Sequence, residues 1–293
     1  MTDEKPSLKP NFFILGAAKS GTTSLFHCLE GHPEVFIPPL KETNFFSDGF
    51  QGFDSITRAT HYFERMGEGK GKKRIGEGSH SYLTSPRAAK TLKLLFPDCK
   101  LLVILRNPAD RGFSLYHHLR RLGYEKYSTF EKALEAEEWR MNDQKFIDTC
   151  GENIYNVMYF RSGFYGEQIQ RYQKYFDADQ LLITTFDKLI QDSKAVLSEI
   201  CEFLEIDYNL CPGLPSANKG SVTARFPWLN HFFSIRLGRI IFPVDKPLGI
   251  KDHFKKHLFV PKPKLNPDTK RMLMEKYADD QALLHELTGI RFE

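Results

Sequence analysis

The stretch ILGAAKSGTTS, residues 14–24, sets a lysine and two glycines beside a run of hydroxyls. Gly16 and Gly21 have the separation of the nucleotide loop G-x-x-x-x-G-K-[ST]. Thr22 and Thr23 follow the second glycine, where that loop carries its lysine, and the cation here is Lys19, inside the loop. A glycine-containing turn that opens a helix is an anion site, because free backbone N–H groups converge there and the helix dipole favours negative charge. Lys19, Ser20 and Gly21 form the turn, and Thr22, Thr23 and Ser24 add hydroxyl donors. ATP or GTP chemistry needs a lysine at the β- and γ-phosphates and a Mg²⁺ held by a loop hydroxyl and a downstream aspartate. No apolar strand ending in such an aspartate is visible. A lysine in mid-loop better suits a single 5′-phosphate carrying one transferable group, and no metal is expected.

A second cluster lies in LLVILRNPADRGFSLYHH, residues 101–118. Arg106 leaves the end of an apolar run, where ligands bind in open α/β sheets. Its planar guanidinium suits a phosphate, or alternatively a carboxylate. Ser114 follows about two turns into the next helix and can donate to the same group. Arg111 either joins them or bridges to Asp110 or a glutamate. A third cluster, PPLKETNFFS at 38–47, sets Glu42 between Lys41 and the pair Phe45/Phe46. Partial desolvation there is expected to raise its carboxyl pKa toward that of a useful base. His80, in GEGSHSYLTSP, is a second titratable group in a loop.

These groups need a scaffold that gathers separate loops. Residues 11–17, 99–105 and 180–186 read as strands, the first two as apolar runs buried on both faces, and 73–79 as a weaker one. TSLFHCLEGHP reads as a helix ended by Gly31 and Pro33, and SPRAAKTLKLLFP as one capped by Ser85. A further helix starts at Asn107 with Pro108 in its first turn; others cover 164–176, 193–206 and, as a closing helix, 266–288. Strands alternating with helices predict an α/β fold with a central parallel sheet flanked by helices.

The chain has 293 residues, of which 41% are hydrophobic, enough for one sizeable core, so a single domain over 1–293 is expected. The net charge of +4 suits anionic ligands but falls short of a nucleic-acid binder. Neither a secretory signal nor a membrane span is evident, and the five scattered cysteines include no C-x-x-C pair. A cytoplasmic location is therefore expected. Segment 231–264 carries eight Lys/Arg against two Asp. It reads as an acceptor-binding lid, a membrane-surface patch or a solvated edge packed by its aromatics.

The segment FFILGAAKSGTTSLFHCLEGHPEVF resembles the 5′-phosphosulfate loop of sulfotransferases that use 3′-phosphoadenosine 5′-phosphosulfate (PAPS). Residues 101–118 are similar to that family's 3′-phosphate motif R-x-P-x-x-R-x-x-S-x-Y, through Arg106, Pro108, Arg111, Ser114 and Tyr116. The likeness extends to 162–189 and 216–227 and is closest to the heparan-sulfate-type and bacterial branches. It implies a P-loop-type nucleotide-binding fold, with Lys19 at the leaving 5′-phosphate and Arg106 and Ser114 on the 3′-phosphate. Tyr165 would then flank the adenine or pack in the core, and Lys219 and Gly220 would close over the 3′-phosphate. Glu42 is implied as the general base with Lys41 in support. His80 is the rival base, as in relatives that act on phenols and steroids. Glycan-type members place a lysine where this chain has Gly78, which removes one positive contact to the sulfuryl group. The implied acceptor is a hydroxyl or amine of a small molecule or glycan. A P-loop kinase or nucleotidase, or a non-catalytic adenine-nucleotide-binding module, is the alternative.

Overall fold

The computed structural model describes residues 9–39, 41–47, 59–150, 154–215, 222–224, 259–261 and 263–293. Lys219, Gly220 and most of the basic segment 231–264 lie outside the described residues. Five strands form a parallel sheet: β1 (Phe12–Gly16), β2 (Val35–Phe36), β3 (Arg74–Gly78), β4 (Lys100–Leu105) and β5 (Leu181–Thr185), in the order β2-β3-β1-β4-β5. A separate antiparallel pair joins β6 (Val222–Ala224) to β7 (Phe259–Pro261).

Helices follow each strand of the large sheet. The first half of the chain supplies α1 (Thr22–Glu30), α2 (Ala59–Met66), α3 (Ser81–Thr84), α4 (Ala88–Leu95) and α5 (Pro108–Leu122). Next come α6 (Phe130–Glu135), α7 (Glu137–Asn142) and α8 (Gln144–Thr149), then α9 (Tyr165–Gln173), α10 (Phe186–Gln191) and α11 (Ser193–Phe203). The expected closing helix is two, α12 (Pro267–Lys276) and α13 (Ala278–Thr288), meeting at Tyr277. Tyr277 is buried, and its hydroxyl donates to the Phe160 carbonyl at 2.7 Å.

The strands are covered on both faces, and their residues sort by period two. Phe13, Leu15, Leu101, Val103 and Leu105 point into one hydrophobic layer; Phe12, Ile14, Leu102 and Ile104 point into the other. Local chemistry sets the helix starts. Asn107 caps α5 by accepting from the N–H groups of Ala109 and Asp110, and Ser85 accepts from Ala88 at the start of α4. The Asp280 carboxylate, from α13, accepts from Gly166 and Glu167 and so caps α9 from a distant part of the chain.

Strand order positions the site. The chain leaves β1 toward β2 on one side of the sheet and leaves β4 toward β5 on the other. The crevice at the carboxyl ends of β1 and β4 is therefore a topological switch point, where open α/β sheets bind ligands.

Candidate active site

The loop after β1 runs into α1 through Gly21, which has φ 90° and stands at the N-cap without a side-chain cap. A Cβ there would also press against the Phe186 ring at 3.1 Å, so this position requires glycine twice over. The first N–H groups of α1 have no partner within the helix. Lys19 adopts φ 66°, a left-handed conformation that a side chain tolerates only when its surroundings hold it there. Ser20 is fully buried with its hydroxyl unpartnered, and Thr22 is buried, while Thr23 is exposed and Ser24 half-buried. The hydroxyls accessible to a ligand are thus those of Thr23 and Ser24.

Arg106 stands at the end of β4, as expected. It donates to the Lys19 carbonyl at 3.2 Å and lies over the Phe186 ring at 4.8 Å, so residues following β1, β4 and β5 meet around one guanidinium. Ser114 is half-buried on α5. Arg111 is held by the protein itself and lines a small cavity with His80, Asn156 and Ser162. It is 1% exposed and donates to the Tyr159 carbonyl at 2.7 Å and the Ser162 hydroxyl at 2.9 Å, with no bridge to Asp110. Tyr165 is completely buried and edge-on to Phe292, which is the core position the sequence had left open beside an adenine contact.

The loops after β2 and β3 bring together two groups that the sequence presents as rivals. The Glu42 carboxylate accepts from His80 Nδ1 at 2.6 Å and from the His80 backbone N–H at 2.8 Å through Oε2, and from Lys41 Nζ at 2.7 Å through Oε1. Lys41 also donates to Thr23 Oγ1 at 2.9 Å, which ties this carboxylate to the start of α1. His80 Nε2 lies 2.7 Å from Asn156 Oδ1. Glu42 adopts φ 64° and Asn44 φ 53°. Their loop is stapled to β3: Glu42 N–H donates to the Gly78 carbonyl, Asn44 N–H to the Ser79 hydroxyl, and the Thr43 hydroxyl to both oxygens of the buried Glu77 carboxylate.

These partners reverse the expected electrostatics. Burial pushes the Glu42 carboxyl upward, but His80 and Lys41 outweigh it and hold the pKa at about 2. Burial likewise pulls His80 down, and the Glu42 charge overcomes this, so the imidazole titrates above its ordinary value. Glu77 behaves as a carboxyl without a cation: burial raises it despite its hydroxyl partners.

Sequence reasoning missed two members. His118 is a half-buried residue on α5; burial, with Lys19, Arg121, His80 and Lys41 around it, drives its pKa to about 3. It is therefore neutral, one imidazole among cations. The signal was its spacing, one turn after Ser114 and two after Arg111 on a single helix face. Asn156 carried no local signal, because its partner lies 76 residues earlier. Among the described residues no group of three or more His, Cys, Asp or Glu is placed to hold a metal ion, and no helix is long and apolar enough to cross a membrane.

Comparison with known proteins agrees with this geometry. The chain is 28% identical over 216 residues to bifunctional heparan sulfate N-deacetylase/N-sulfotransferase 4 of Mus musculus, covering 67% of this chain and 22% of that protein. It is 33% identical over 108 residues to the membrane-associated sulfotransferase kil1 of Dictyostelium discoideum, covering 37% and 22% respectively. The chain thus spans about a fifth of the length of these relatives. A solved sulfotransferase from Alicyclobacillus acidocaldarius superposes with a TM-score of 0.72 at 28% identity, over 97% of both chains. The fold is that of P-loop-containing nucleotide-binding proteins. The family model described as the sulfotransferase domain matches residues 9–218, and the chain belongs to the sulfotransferase family.

Proposed function

We propose that this chain is one sulfotransferase domain that moves the sulfuryl group of PAPS to a hydroxyl or amine of a small-molecule or glycan acceptor. The observation that carries the reading is convergence. Lys19, Glu42, His80 and Arg106 follow four neighbouring strands of one parallel sheet at their carboxyl ends, and Lys41 joins the phosphate loop to Glu42. The 5′-phosphate sits on the N–H groups before α1 with Lys19 at its bridging oxygen, and the 3′-phosphate takes Arg106 and Ser114. The acceptor oxygen or nitrogen forms the new bond to sulfur, the bond from sulfur to the 5′-phosphate oxygen breaks, and 3′,5′-ADP departs. The acceptor's proton passes to Glu42. A carboxylate of low basicity is adequate for this, because the acceptor acidifies as its bond to sulfur forms. Lys19 offsets the charge on the departing oxygen, a contribution of roughly 3 kcal/mol.

The test is thermal stabilisation by 3′,5′-ADP, set against 5′-AMP and ATP–Mg²⁺. A ligand at 100 times its dissociation constant adds about 2.7 kcal/mol. The expected result is a melting shift with 3′,5′-ADP that Arg106→Ala abolishes. Preference for ATP–Mg²⁺ would overturn the reading in favour of a kinase.

A further inference from the structure

His80 is held from three directions. Its backbone N–H and its Nδ1 both meet Glu42 Oε2, and its Nε2 meets Asn156 Oδ1 on the far side of the ring. A carboxylate and an amide oxygen are both acceptors, so this arrangement asks for a donor at each ring nitrogen. A neutral imidazole has only one N–H; the imidazolium has two. The ring is four-fifths buried and borders a small cavity lined by Ala17, Arg111, Asn156 and Ser162. Asn156 is itself 7% exposed, in the short turn Ile154–Val157.

From this geometry we infer that Asn156 is a positioning residue that keeps His80 in its charged, doubly donating form. His80 then serves as a fixed cation beside the transferred group, in place of the lysine missing at Gly78, and Glu42 alone takes the acceptor's proton. The inference rests on the sulfotransferase reading for its role in the reaction, but the state of the ring stands independently of it. The charged or titratable groups around the ring are Glu42 and Lys41 from the loop after β2, Lys19 from the phosphate loop, and His118 and Arg111 from α5. Four of these are cations or a neutral imidazole, so the charged state of His80 depends on Glu42 and on the amide oxygen of Asn156. Burial and Lys41 lower the imidazole, while the Glu42 charge and the Asn156 hydrogen bond raise it, and the balance is upward.

The test uses the whole chain with ¹⁵N-labelled histidine and follows His80 by long-range nitrogen–proton correlation from pH 5 to pH 10, with no cofactor present. His80→Asn identifies its signal. In the wild type both ring nitrogens should carry protons at pH 7.5. Asn156→Ala should lower the His80 titration midpoint by roughly one to two pH units, the worth of one hydrogen bond to a charged group. Asn156→Asp, which keeps an acceptor oxygen, should restore or raise it. Melting temperatures of the variants check that they are folded. A neutral His80 at pH 7.5 in the wild type, or an Asn156→Ala midpoint equal to the wild type's, would overturn the inference. If the midpoint moves as expected but 3′,5′-ADP fails to bind, the positioning stands and the sulfotransferase reading falls.

Discussion

Glu42→Gln is the substitution that most sharply separates the two tasks of this carboxylate. In the fold the Glu42 carboxyl is displaced from 4.5 to about 2 by His80 and Lys41. A displacement of about 2.5 units corresponds to about 3 kcal/mol of preference for the charged form. Because the folded pKa lies below the unfolded one, this stabilisation is complete above about pH 4.5 and is lost as the pH falls toward 2. The rise of His80 reports the same attraction from the other partner and adds nothing to it. Glutamine keeps the shape and loses the charge. At about 2–4 °C per kcal/mol for a chain of this size, the variant should melt on the order of 5–10 °C below the wild type at pH 6. The gap should narrow steadily as the pH approaches 2, since Glu42 is then giving up its charge. Melting curves of the two proteins, taken side by side from pH 6 to pH 2.5, read this directly. A gap that stays constant across that range would refute the electrostatic account, because a packing defect does not titrate. Sulfuryl transfer by the variant should fall by about 10²–10⁴, the usual worth of a general base. Its stabilisation by 3′,5′-ADP should persist, since no phosphate contact is assigned to Glu42.

Two further outcomes follow from the geometry. Lys19→Met should leave the fold intact and cut turnover by roughly 10²–10³, the cost of losing about 3 kcal/mol at the leaving oxygen; near-normal turnover would remove Lys19 from the chemistry. Gly76→Ala should destabilise the chain by about 1–3 kcal/mol, because Gly76 pairs with Phe12 across β3 and β1 and any Cβ there overlaps the Phe12 ring. An unchanged melting temperature would contradict that register.

Much of the scaffold was legible because its signals are local. Residues 12–16 and 101–105 are apolar on both faces, and Asn107–Pro108 and Ser85 carry helix-start chemistry within three residues of the elements they begin. The placement of Lys19 and Arg106 at the ends of β1 and β4 followed from strand boundaries alone. The two-residue β2 was invisible, since Val35–Phe36 is too short to display a period. The division of the closing helix at Tyr277 depends on a carbonyl at Phe160, more than a hundred residues away.

The site divides the same way. The sequence by itself determined which residue types are available to hold phosphates and take a proton, because spacing within a loop or along a helix reports local geometry. Only the tertiary structure decided their states. Glu42 and His80 are 38 residues apart, and their contact lowers the carboxyl of one and raises the imidazole of the other, where the sequence offered two competing bases. Arg111 shares one motif with Arg106, yet the packing of α5 buries it, and the packing of α9 buries Tyr165, for which the sequence had left a core position and an adenine contact both open. A pKa and a burial are properties of neighbours, and neighbours far apart in the chain are chosen by the fold.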